Sequence, residues 1–136
     1  MAESPQPDGG GLRFNTGKNQ IELIPTEWTW GLAMVLTRGA FKYAIRNWER
    51  GMKWSYLIGC IGRHVLKFMC GERYDAETGC HHMFMAAWNC CALATYDIRK
   101  IGENDLVGDP LWLELVATEP GPALLKLMAE KLTPQK

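Results

Sequence analysis

The chain has 136 residues, 47% hydrophobic and 22% charged, which fits one domain with a modest core that self-association would reinforce. Lysine plus arginine and aspartate plus glutamate both total 15, so the formal net charge is zero. That balance lacks the basic excess of a nucleic-acid binder, but leaves room for a small anion held by a local basic cluster. Five cysteines without CxxC spacing, and no leader-like start, argue against a disulfide framework and for a reducing cytoplasm.

Residues 1–11 are rich in Pro, Gly and small polar side chains and read as a mobile tail ahead of one domain over residues 12–136. Leu12 to Pro25 reads as extended or irregular, with a turn at Asn15-Thr16-Gly17-Lys18. Thr26 is a fair N-cap for a first helix running to about Asn47, with Gly39 as a kink or a close helix contact. Asn47 to Lys53 reads as a loop. A second helix opens at Trp54 or Ser55, runs through Met69, and is broken by Gly71 to Gly79. A third, from about Cys80 to Lys100, is apolar on most faces and therefore central. Its longest uncharged run, Met83 to Tyr96, is too short to cross a bilayer. Cysteines inside these helices read as small buried hydrophobes. Gly102 and Gly108-Asp109-Pro110 are stops, followed by short helical stretches at residues 111–116 and 122–132. With no alternating strand pattern of useful length, the fold class is an all-α bundle of about four main helices.

The segment Arg63 to Asn89 concentrates the chemistry. His64, Phe68 and Glu72 follow at four-residue steps, and Asp75 lies three beyond Glu72. If the helix persists that far, both carboxylates share one face. Such an ExxD pair suits a hard cation, Mg²⁺ or Mn²⁺, which takes oxygen ligands and keeps waters. Glu77 is either a third oxygen donor or a cap of the next helix. On the third helix His82 and Asn89 are two turns apart and share a face, whereas His81 points about 100° away. His82 is therefore the preferred functional histidine, and a buried Asn89 needs a partner that a ligand could supply. Singly, each residue is more often a solvated cap, a satisfied core histidine or a helix bridge. Their joint occurrence favours a site.

Lys42, Arg46 and Arg50, and again Arg63 and Lys67, are spaced four apart. They serve either helix C-termini or phosphate groups. Lys18 in its turn is placed to close over a ligand. Asn47 and Trp48 are weaker candidates for nucleoside contacts, a Trp at a helix end being more often core. A zinc site built from His64, Cys70, Cys80, His81, His82 and Cys90 has non-standard spacing and is disfavoured.

On these residues the chain resembles the phage and bacterial dATP/dGTP diphosphohydrolase family. The string LIPTEWTWGLAMVLTRGAFKYAIRNWERGMKW is similar to that family's N-terminal pattern, and RHVLKFMCGERYDAETGCHHMFMAAWN to its second pattern. The likeness runs from about Phe14 to Arg99. It places Gly39, Lys42, Tyr43, Asn47, Trp48, Gly51, Arg63, His64, Gly71, Glu72, Asp75, Glu77, Gly79, His82, Trp88 and Asn89 on pattern positions. Met85 stands where many relatives carry a second histidine.

The resemblance implies a MazG-like all-α fold, a dimer or tetramer, and cleavage of nucleoside triphosphates to monophosphate and pyrophosphate with Mg²⁺ or Mn²⁺. It is greatest to the MazZ type of phages that replace adenine with 2-aminoadenine, which implies that dGTP is the substrate and dGMP the precursor supplied. On that reading Glu72 and Asp75, with Glu77 or Glu49, hold the metal, and a carboxylate or His64 takes the proton of the attacking water. Lys42, Arg46, Arg63 and Lys67 then bind phosphates. The chain departs from the MazG signature of paired ExxE and ExxD motifs, its one clear ExxD being Glu72 to Asp75. The alternative is a non-catalytic helical interaction module, to which six Trp and seven Met are equally suited.

Overall fold

The computed structural model describes residues 13–14, 16–106, 108, 121, 126–127 and 129–131. The expected tail and the expected helix at residues 111–116 lie outside them. The chain divides into two compact units, Met1–Glu103 and Asn104–Lys136. In the second, residues 126–127 and 129–131 are helical, within the stretch expected from sequence.

The first unit is all-α. It holds α1 (Thr26–Lys42), α2 (Trp54–Met69) and α3 (His82–Arg99), with short 3-10 helices at Ile21–Leu23 and Asn47–Arg50. Its described residues contain only isolated bridges of β type, Lys53 with Glu103 and Tyr74 with His81. α3 packs against both α2 and α1, so it is the central helix. No helix among the described residues is long and apolar enough to cross a membrane.

The helix ends differ from the sequence reading in instructive ways. Pro25 occupies the N-cap position of α1 and no side chain caps it, so Thr26 is the first helical residue instead of the cap. α1 stops at Lys42, earlier than Asn47, because Arg46 adopts the left-handed conformation at φ 58° and the chain re-enters as a 3-10 turn. Lys42, Arg46 and Arg50 therefore do not line one helix face. Gly39 has open space where a Cβ would sit, so it makes no close contact. The close contact is at Gly31, where a Cβ would fall 2.5 Å from Phe84 Cγ. Among the cysteines Cys80 is buried, whereas Cys70, Cys90 and Cys91 are exposed.

The core is compact. Leu57, Ala92 and Tyr96 are buried together, and Trp48, Met52, Trp54, Trp88, Leu93 and Ile101 pack around them. Burying a side chain such as Leu57 contributes roughly 1.5–3 kcal/mol. Trp48 stacks on Tyr96 at 6.1 Å and meets Trp88 edge-on at 6.0 Å. The Tyr96 hydroxyl donates to the Trp48 carbonyl, fastening the 3-10 turn to α3. Trp54 Nε1 donates to the Ile101 carbonyl at 3.1 Å. Beside it Gly51 (φ 90°) and Gly102 (φ 76°) cross so closely that a Cβ on Gly102 would lie 2.5 Å from the Met52 carbonyl oxygen.

Candidate functional site

The site begins where α2 ends. Gly71, at φ 94°, closes the helix: its N–H donates to the Phe68 carbonyl at 3.0 Å and Glu72 N–H to the Lys67 carbonyl at 3.0 Å. This pair of bonds is a Schellman C-cap, which needs a left-handed residue. It turns Glu72 out of the helix, so Glu72 and Asp75 do not share a helical face as the sequence spacing suggests.

Instead they sit on a hairpin-like bend. Arg73 accepts from His82 N–H at 2.9 Å, and Asp75 N–H donates to the Cys80 carbonyl at 2.8 Å. The turn is held by Asp75, whose Oδ2 accepts from the Thr78 amide at 3.0 Å and the Thr78 hydroxyl at 2.8 Å. Burial pushes the Asp75 carboxyl up. The two Thr78 bonds, with Lys67 and His64 nearby, outweigh that and hold it below the ordinary carboxylate range. α1 grips the same bend: Lys42 Nζ pairs with Glu77 Oε1 at 2.6 Å, and Arg38 Nε donates to the Thr78 carbonyl at 3.1 Å.

The bend delivers Glu72 to the first residue of α3. Glu72 Oε1 lies 3.2 Å from Nε2 of His82, whose side chain is fully buried. The approach is off the line of a good hydrogen bond, and Nε2 has no other partner. On the other side of the ring, His82 Nδ1 lies 2.9 Å from Nδ1 of His64 on α2. Three groups thus stand in line, a carboxylate and two imidazoles.

Their protonation follows from pairing. A carboxylate can only accept, so the nearby Glu72 favours a proton on His82 Nε2, and the neutral ring then has its lone pair on Nδ1. His64 must then donate through Nδ1–H, which leaves its Nε2 with a lone pair. Burial, chiefly, and then the neighbouring His82 depress the His64 pKa below 6.5, with Lys67 and Arg63 adding to this and Asp75 opposing it. Lys67 and Arg63 lie close enough to act on the His64 ring, and the Arg63 guanidinium itself turns back along α2 to donate to Cys60 Sγ at 3.2 Å.

The remaining sequence candidates distribute as follows. His82 and Asn89 are both buried on α3. Asn89 satisfies its amide internally, Nδ2 donating to the Met85 carbonyl at 2.8 Å. Trp48 belongs to the core and Asn47 begins the 3-10 turn beside it, which favours the packing role for Trp48. Lys18 is exposed in its turn. Arg46 pairs with Glu49 at 3.2 Å, and Arg99 approaches the same carboxylate at 3.6 Å.

Glu49 therefore sits by the C-terminus of α3, whereas Glu72 sits by its N-terminus. Eighteen residues of helix separate those ends, about 27 Å at 1.5 Å per residue. Within one chain Glu49 cannot join Glu72 around a single ion, which corrects that pairing. Glu77 is occupied by Lys42. Among the described residues no three His, Cys, Asp or Glu side chains form a ready group for a metal. Glu72 and Asp75 still fit a hard cation of the Mg²⁺ kind, which is commonly held by one or two carboxylates plus waters and substrate phosphates. Glu72 is exposed, and Thr78 engages only one of the two Asp75 oxygens.

Thr78, Arg38 and the capping role of His81 escaped the sequence reading. The Asp75-x-x-Thr78 spacing is a legible turn signal, since Asp readily accepts from the backbone a few residues on. The contact of Arg38, forty residues from Thr78, leaves no local trace.

These features define an all-α domain with a carboxylate–imidazole cluster near two cationic side chains. The family model described as "dATP/dGTP diphosphohydrolase, N-terminal" matches residues 8–106, and the chain belongs to that family. A dATP/dGTP diphosphohydrolase of Salmonella phage PMBT28 is 39% identical over 77 residues, which are 57% of this chain and 26% of the relative. The chain thus spans about a quarter of the relative it matches. No solved structure matches it significantly.

Proposed function

We propose that this chain hydrolyses a purine deoxynucleoside triphosphate, preferentially dGTP, to the monophosphate and pyrophosphate. The observation that carries this is the Glu72–His82–His64 line, with Arg63 and Lys67 near enough to act on His64. Family membership and the name of the phage relative support the substrate class. His64 Nε2 accepts a proton from the attacking water, and His82, backed by Glu72, stabilises the charge that forms. Arg63 and Lys67 bind phosphate oxygens. Glu72 and Asp75 would hold Mg²⁺ or Mn²⁺, which when bound offsets phosphate charge and activates water. Water adds at phosphorus, the phosphoanhydride bond breaks, and pyrophosphate leaves. The dGMP would feed synthesis of 2-aminoadenine nucleotides in the cytoplasm of an infected cell.

The chain, one functional domain over residues 12–136 that comprises two compact units, would work as a dimer or tetramer. Phe41, Ile45 and Ile98 are more than three-quarters exposed, apolar area that a second copy would cover. The same surface favours the second reading, an interaction module.

The test is direct. The purified chain is incubated with each deoxynucleoside triphosphate and GTP, with Mg²⁺ or Mn²⁺, and products are separated. Pyrophosphate with dGMP is the expected pair, released fastest from dGTP. Inorganic phosphate as first product, or no turnover of any nucleotide, would overturn the assignment and leave the module.

A further inference from the structure

The acid–imidazole line does not account for a second feature, a cleft of about 520 Å³ between the start of α1 and the start of α3. That volume lies within the roughly 300–1,000 Å³ of small-molecule sites. Its walls include Glu27, Trp30, Tyr74, His81 and Phe84. Resting on the nucleotide reading above, we infer that this cleft is the base site and that it selects guanine.

The cleft is built, not incidental. Phe84 lies against Gly31, where any Cβ would fall 2.5 Å from its ring. The His81 ring is pinned twice. Its Nδ1 accepts the Met83 amide at 3.0 Å, capping α3, and Tyr74 and Phe84 meet it edge-on at 5.6 and 5.9 Å. Two aromatic rings on the walls remain largely uncovered, Trp30 at 72% and Tyr74 at 61% exposure. Flat exposed rings beside a cleft suit stacking on a base. The cleft also borders the acidic bend, because Tyr74 is the residue before Asp75.

Guanine follows from the polar edges. With Nδ1 accepting from the Met83 amide, the His81 ring carries its proton on Nε2, which can only donate. Glu27 offers a carboxylate, which accepts. Guanine matches both: N1–H and the 2-amino group donate to a carboxylate, while O6 and N7 accept from an N–H. Adenine presents a lone pair at N1 and no 2-amino group, so Glu27 would face an acceptor.

The test separates base binding from hydrolysis. The full chain, without divalent cation, is titrated with dGMP and with dAMP by calorimetry and tryptophan fluorescence. The native chain should prefer dGMP by about tenfold or more. Trp30→Ala should weaken both nucleotides by about tenfold or more. Glu27→Gln should weaken dGMP roughly ten- to a hundredfold and leave dAMP unchanged or tighter. Both residues are exposed, and circular dichroism would check that the variants fold. Equal affinities in the native chain, or parallel losses of both nucleotides in Glu27→Gln, would sink the inference. If dGMP binds as described but no triphosphate is cleaved, the proposed function fails and the base site stands. If dGTP is cleaved but both variants bind dGMP and dAMP with the native affinities, the base site alone fails.

Discussion

His64 and His82 face each other through their Nδ1 atoms at 2.9 Å, so only one proton fits between them. Double protonation would oppose two N–H groups as well as two positive charges. Burial, chiefly, and then the facing His82 hold the His64 pKa below 6.5.

Two pH effects follow. The base form of His64 persists below pH 6.5, so the acidic limb of kcat/KM should have its midpoint below 6.5. For stability, a depressed folded pKa means that the unfolded chain binds more protons in the window between the two values. Stability is then full above pH 6.5 and falls as the pH drops toward the folded pKa of His64. Asp75, also depressed, adds a further loss below pH 3.8. Thermal melts at pH 7.5 and about 5.5 should show the first loss, and it should shrink in His64→Gln. A melting temperature that rises on acidification would contradict the lowered His64 pKa.

Glu72→Gln separates the chemical role of this carboxylate from a structural one. The side chain is partly exposed, and its contact with His82 is not a good hydrogen bond, so the fold should lose about 1 kcal/mol or less. On the proposed function, turnover should fall by about a hundredfold or more, because His82 would lose its anionic backing and a bound cation would lose one of its two carboxylates. Urea melts and pyrophosphate release measure the two effects on one preparation. Native-like turnover in a folded variant would remove Glu72 from the site.

The order of elements and the centrality of α3 were legible because each rests on local periodicity and on glycine and proline stops. The gathering of His64, Glu72 and His82 was legible as a group, since the resemblance and the helical spacing both singled them out. The geometry of the acidic bend was not. A Schellman cap at Gly71 is a local signal that outranks the ExxD spacing, and it turns Glu72 toward His82. Glu49 was misplaced because its partner Arg99 is fifty residues away, and such a contact depends on how α3 lies, which spacing does not encode. The close contact expected at Gly39 falls at Gly31 for the same reason: only packing against Phe84 distinguishes them.

Tyr96→Phe isolates the bond that ties the 3-10 turn to α3. The ring is fully buried and stacks on Trp48, so phenylalanine keeps the packing and removes only the hydroxyl. The Trp48 carbonyl loses its donor in a dry environment, which costs about 1–3 kcal/mol. Denaturant midpoints should shift with no change in m-value, and indole fluorescence should show Trp48 more mobile. An unchanged midpoint would mean that water replaces the hydroxyl.

Gly102→Ala attacks the crossing between the residue after the 3-10 turn and the exit from α3. Two penalties coincide there. The backbone at φ 76° is strained for any L side chain, and the new Cβ would press within 2.5 Å of the Met52 carbonyl oxygen. Neither can relax cheaply: Met52 O accepts the Glu103 amide at 3.2 Å, and Trp54 Nε1 is held by the Ile101 carbonyl. The strain alone costs about 1–3 kcal/mol, and the overlap adds to it. Gly51→Ala should behave alike, since its Cβ would sit 2.7 Å from Gly102 N at φ 90°. The two glycines press on each other, so the double variant should lose less than the sum of the single losses. Additive losses in a double-mutant cycle would show that the two backbones do not share this crossing.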